Sequence, residues 1–141
     1  MSTLSTANIQ TKAAATPPVI KDVNGVEVGQ FCTAWVNFNG TTGTLGQSDV
    51  TIRGSFNVTS VTDNGVGNYT VSYTNAMDSI NYSCVAAMGQ GSVASGFSEA
   101  VNVHNPTATG CQVLVGCDGT SGATYTAQDA VFVCFAAFGG K

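Results

Sequence analysis

Two stretches decide the fold: residues 32–40, CTAWVNFNG, and residues 51–77, TIRGSFNVTSVTDNGVGNYTVSYTNAM. In the second, Phe56 and Val58 alternate with Asn57 and Thr59, and Tyr69, Val71 and Tyr73 alternate with Thr70, Ser72 and Thr74. Successive side chains of a strand point to opposite faces, so this alternation predicts two strands, each with one apolar and one polar face. Between them lies TDNGVG, residues 62–67, where Asn64-Gly65 accommodates positive φ and Gly67 permits a bulge. The pattern reads as a β-hairpin, with Trp35, Val36 and Phe38 forming a third strand over its apolar face. Trp35, Phe38, Phe56, Val58, Tyr69 and Val71 are the expected core.

Outward from this nucleus, Asp49 to Thr62 reads as one long strand bent at Gly54. Further strands are expected at Tyr82 to Met88, Ala100 to His104, Cys111 to Cys117 and Ala130 to Phe138. Asn105-Pro106 should stop the second of these, because proline cannot donate to a ladder. Gly-rich segments at 40–48, 89–96 and 118–122 read as loops and turns. The expectation is an all-β chain, with a single antiparallel sandwich, jelly-roll-like, over residues 32–141. Residues 1–31 differ. Small polar residues run to Thr16, Pro17-Pro18 favours an extended path, and Val19, Ile20, Val26 and Val28 flank an Asn24-Gly25 turn. Such an N-terminal arm cannot bury a core, so it is expected to dock on a partner.

Charged residues make up 9% of the chain, against about 25% in an ordinary soluble protein. Valine outnumbers leucine 18 to 3, which favours strands. Arg53 is the only cation between Lys21 and Lys141, whereas a nucleic-acid surface needs clustered Lys and Arg. No apolar run reaches the roughly 18 residues of a membrane span, and MSTLSTANIQ lacks the basic start and apolar stretch of a secretory signal. Five cysteines, an odd number, sit mostly within apolar strand runs. They read as reduced thiols in a chain made in the cytoplasm.

No constellation carries catalytic or cofactor chemistry. Cys111 and Cys117 are too far apart in sequence for a tight zinc pair, and His104 has neither a nucleophile nor an orienting acid beside it. Asp63, Asp78, Asp118 and Asp129 fall where turns favour aspartate. Nothing pairs them as a glycan hydrolase would require. Trp35, Tyr69, Tyr73 and Tyr82 could stack on a sugar, but strand positions favour packing in a core. The expectation is a non-enzymatic protein without metal or cofactor.

The final strand is apolar on both faces: Val131, Val133 and Phe135 on one, Phe132, Cys134 and Phe138 on the other. Either it lies centrally within one chain, or a neighbouring subunit supplies the second cover. The low charge favours the second reading, with Val131, Phe132, Val133, Phe135 and Phe138 at an oligomer interface.

The segments Ala34 to Gly40 (AWVNFNG), Thr51-Ile52-Arg53, Ser55 to Val58, Val61 to Gly65, Gly67 to Val71, Ala76-Met77 and Tyr82 resemble a module recurrent in fibre and appendage proteins of tailed bacteriophages. The polar arm with its proline pair and hairpin is similar to theirs too. Members often carry a proline after the Met and a basic residue after the Cys, where this chain has Asp78 and Thr33. The resemblance implies a virion structural protein, a trimeric tail-fibre-like appendage whose knob touches a host glycan or protein. It implies attachment to other virion proteins, of tail or capsid, through residues 1–31. A capsid decoration protein docked on the head shell by its arm is the alternative, and a small glycan hydrolase a remote one.

The cysteine reading is directly testable. Alkylation of the unreduced, denatured protein should label all five thiols in a mass spectrum, and an intact cystine-linked peptide would contradict it.

Overall fold

A computed structural model describes residues 19–90, 98–118 and 125–140. Contacts divide the chain into two units, Met1–Phe31 and Cys32–Lys141. In the first, β1 (Val19–Lys21) and β2 (Glu27–Gln30) form an antiparallel hairpin. Gly25 supplies the positive φ of its turn, and the Asp22 carboxylate accepts from the amides of Asn24 and Val26.

The second unit contains β3 (Cys32–Asn39), β4 (Thr51–Phe56), β5 (Val58–Gly65), β6 (Asn68–Tyr73), β7 (Tyr82–Gly89), β8 (Ser98–Thr107), β9 (Gly110–Asp118), β10 (Tyr125–Ala127) and β11 (Phe132–Gly139). They form two antiparallel sheets. One has the order β4-β3-β11-β7; the other runs β10-β9-β6-β5, with β8 on the remaining edge of β9. The described residues contain strands and no helix. The β3–β4, β5–β6 and β8–β9 pairs each stay within one sheet. Consecutive strands therefore do not alternate between the sheets in the way a jelly roll requires.

The core lies between the sheets. Val36 and Phe38 of β3 and Val133 and Phe135 of β11 face Val61 of β5, Tyr69 and Val71 of β6, and Val113 and Val115 of β9. Phe38 meets Tyr69 edge-on at 5.1 Å, and Tyr73 stacks on Phe135 at 6.4 Å. These contacts clamp one sheet to the other. Phe38, Val58, Tyr69 and Val71 are all buried. Trp35 and Phe56, also expected in the core, are not: they lie on the outer face of the β4-β3-β11-β7 sheet.

Asn57 explains the misplacement of Phe56. The stretch Asp49 to Thr62 is not one strand but two, β4 and β5, in different sheets. Asn57 stands between them at φ 55°, a left-handed conformation that asparagine tolerates better than most residues. That single residue resets the alternation, so Phe56 points outward while Val58 points inward. Gly54 does mark an irregularity, since the β3–β4 register slips opposite it, but the chain crosses between sheets three residues later. The Asn57 side chain fixes the crossing. Its Nδ2 donates to Thr33 O (3.1 Å) and Asn75 O (3.2 Å), and its Oδ1 accepts from Asn75 N at 2.8 Å.

Two smaller expectations also shift. The tight turn of the β5–β6 hairpin is Val66-Gly67, because Gly65 already pairs with Asn68, and the register slip falls at Asn64. The strand β8 runs through Asn105-Pro106 to Thr107. It pairs only with β9, and proline is tolerated on such an edge; the register slips there and Asn105 takes φ 46°. The loops expected at 89–96 and 118–122 lie largely outside the described residues.

The crossing yields a paired test. Asn57→Gly keeps the backbone freedom but loses the side-chain bonds, and should cost about 1–3 kcal/mol in denaturant unfolding. Asn57→Ala should cost roughly 1 kcal/mol more, from the left-handed φ. Equal costs would remove the backbone from the explanation.

Candidate functional site

The two sheets differ in what they turn outward. On the sheet containing β6 and β9, the outward rows are Ser60 and Ser72, then Thr62, Thr70, Gln112 and His104, then Asn68, Leu114 and Asn102. That is the usual arrangement, apolar inside and polar outside. The β4-β3-β11-β7 sheet breaks the rule. Cross-strand partners there place Phe56, Trp35, Ala136 and Val85 in one row, and Gly54, Asn37, Cys134 and Ala87 in the next. Phe132 and Phe138 sit at either end of β11 on the same side. Trp35 is 40% exposed, Phe132 45%, Phe56 55% and Val85 58%. Apolar side chains therefore form adjoining rows on an outer face that is ordinarily polar.

Two of its polar side chains, Asn37 and Arg53, are occupied by neighbours in the same sheet. Asn37 Nδ2 donates to Cys134 Sγ at 3.0 Å. Arg53 Nη1 donates to Phe38 O at 2.7 Å, and the guanidinium lies 4.5 Å over the Phe132 ring. The arginine thus covers an aromatic face with its own cation, a favourable arrangement that partly hides both. The indole of Trp35 lies across Gly54, where a Cβ would meet its ring carbons at 3.3 and 3.5 Å. Glycine at 54 lets the ring lie flat on the sheet.

The expected interface residues divide by strand parity. Phe132 and Phe138 are on this face, but Val133 and Phe135 point into the chain's own core and are buried. They cannot contact another subunit. Val131 precedes β11 and is half-buried. Sequence reasoning missed Val85 and Ala87. Their signal was available: in YSCVAAMG both strand parities are apolar, as they are in β11.

The remaining candidates do not converge. Cys111 and Cys117 lie near opposite ends of β9, about 20 Å apart at strand rise, and His104 projects from the other face of that sheet. Burial pushes the Cys111 thiol up to about 11, and burial also raises Cys84. Both are held protonated as core side chains. No group of three or more metal-ligating side chains occurs among the described residues. Asp63 accepts from Gly65 N, and Asp129 accepts from Gly67 N and the Tyr69 hydroxyl, so each has a local structural partner. Tyr69 and Tyr73 are core residues of the opposite sheet from Trp35, so no four-ring sugar platform is assembled.

Comparison of the chain with protein-family models, curated proteins and solved structures finds no match.

The inward and outward aromatics of β3 should separate in mutagenesis. In dilute solution, where contacts between chains do not enter, Phe38→Ala should lower unfolding free energy by about 3–5 kcal/mol. Trp35→Ala should cost about 1 kcal/mol. Equal losses, read by circular dichroism during urea unfolding, would contradict the placement of Trp35 outside the core.

Proposed function

We propose that this protein is a non-enzymatic structural component of a bacteriophage virion, a short homotrimeric appendage resembling a tail fibre. Residues 1–31 attach it to other virion proteins, and the β-rich knob faces the host. The observation that carries this reading is the hairpin of the first unit. Ile20, Val23, Val26 and Val28 are all exposed on it, and a two-stranded hairpin is marginal in water without something to pack against. An element that displays its valines in this way suits docking into a larger assembly.

The residues that resemble the phage module fall mainly on β3 to β6, the two hairpins that contribute to the two sheets. In this reading the end of the sandwich away from Cys32 is the host-facing tip. It carries the 40–50 connection and the β5–β6 turn, with Leu45 and Val66 exposed. The connection is held rigidly: Asp49 accepts from both the amide and the hydroxyl of Thr44, which keeps its carboxyl below the usual range. A rigid, mixed polar and apolar tip suits contact with a host surface glycan or protein.

Two measurements test this. Densitometry of purified particles against the major capsid protein should find a handful of copies, located on the tail. Hundreds of copies on the head would favour a decoration protein, and none would remove the virion role. Deleting residues 1–31 should abolish incorporation; a truncated chain that still incorporates would move the anchor to the knob.

A further inference from the structure

We infer that the outer face of the β4-β3-β11-β7 sheet is a self-association surface, covered by other copies of this chain. The two outer faces of the sandwich contrast. One sheet shows Ser, Thr, Gln and His to solvent; the other shows Trp35, Phe56, Val85, Phe132 and Phe138. Water is a poor partner for the second, at roughly 25 cal/mol for each Å² of apolar surface left exposed.

Charge selects the occupant. Arg53 is the only charged side chain that the described strands of this sheet contribute, and its guanidinium is already engaged by Phe38 O and the Phe132 ring. A basic partner would find no acid on this face, and an acidic one only the single guanidinium stacked on Phe132. A second copy brings no charged side chain to this face beyond its own Arg53, whose guanidinium can stay stacked on Phe132, so few charges are desolvated.

Area agrees. Three strands of eight residues and one of six, about 4.8 Å apart and at about 3.3 Å per residue, span roughly 475 Å² per copy, or about 950 Å² for two. That comes close to the lower bound for a specific interface, roughly 1,000 Å² in total. The small residues Cys134 and Ala136 of the inner strand β11, with Ala87 beside Cys134 on β7, let a neighbouring aromatic approach the sheet closely. The count of three rests on the appendage reading above; the face itself does not.

The test uses the full-length chain. Sedimentation at tens of micromolar should give about three chain masses, and alkylation of the exposed Cys134 thiol should slow as concentration rises. Val85→Lys places an unpaired cation in the face and should return the protein to a single chain mass with an unchanged circular dichroism spectrum. Val66→Lys, on the β5–β6 turn, should leave the assembly intact. Two chain masses would support the face and remove the threefold count. A wild-type monomer, or a Val85→Lys chain that still assembles while Cys134 stays protected, would overturn the proposal. So would a monomer whose Trp35 fluorescence responds to an oligosaccharide, which would assign the face to a glycan. Presence or absence of the protein in particles is a separate readout and leaves this result unaffected.

Discussion

The hydroxyl of Tyr69 holds together three connections that share no strand. Its ring is buried between the sheets, edge-on to Phe38, and a phenol placed there must find partners or lose several kcal/mol, by transfer estimates of about 2–7. Its single proton is shared between two acceptors, Gly40 O and Asp129 Oδ1, both at 2.7 Å. Gly40 N in turn donates to Ala130 O, and Gly67 N donates to Asp129. One buried oxygen thereby joins the starts of the β3–β4 and β10–β11 connections to the β5–β6 turn. Burial and the neighbouring Asp129 raise the Tyr69 pKa well above its ordinary value, so it stays a neutral donor. Gly40 and Gly67 are glycines for the same reason. A Cβ at 40 would lie 2.6 Å from the Tyr69 hydroxyl, and one at 67 would lie 2.2 Å from Val115 O.

With the sheets locked in this way, strand parity decides the rest. Val133, Phe135 and Ala137 must face Tyr69 and Tyr73, and therefore Phe132, Cys134, Ala136 and Phe138 must face away. The chain has no freedom to bury both rows of β11. The exposed apolar face is a direct consequence of packing the core, and the same sheet supplies Trp35 through β3 and Val85 through β7. Among the described residues, nothing covers these side chains.

The strands were largely legible in the sequence because their inward rows are so uniformly apolar. Tyr69-x-Val71-x-Tyr73 alternates without interruption, and all three are buried. What the pattern could not show was which sheet a strand joins. Phe56 and Val58 have the spacing of same-face neighbours, yet one asparagine in a left-handed conformation sends them to different sheets. Trp35 was misplaced for a related reason. Residue size suggested the core, but its neighbours Ala34 and Val36 had already claimed the inward positions. Parity against Phe38 would have placed it correctly. The apolar character of both rows of β11 was readable; that only the even-numbered row is available to a neighbour required the register with β3 and β7.

Trp35 is the only tryptophan in the chain, and it lies on the face whose cover is at issue, so its emission reports on the central claim directly. As the full-length protein is concentrated from nanomolar to tens of micromolar, the emission maximum should move to shorter wavelength and iodide quenching should fall. An emission maximum and quenching constant unchanged across that range, in a protein that remains folded by circular dichroism, would contradict the account.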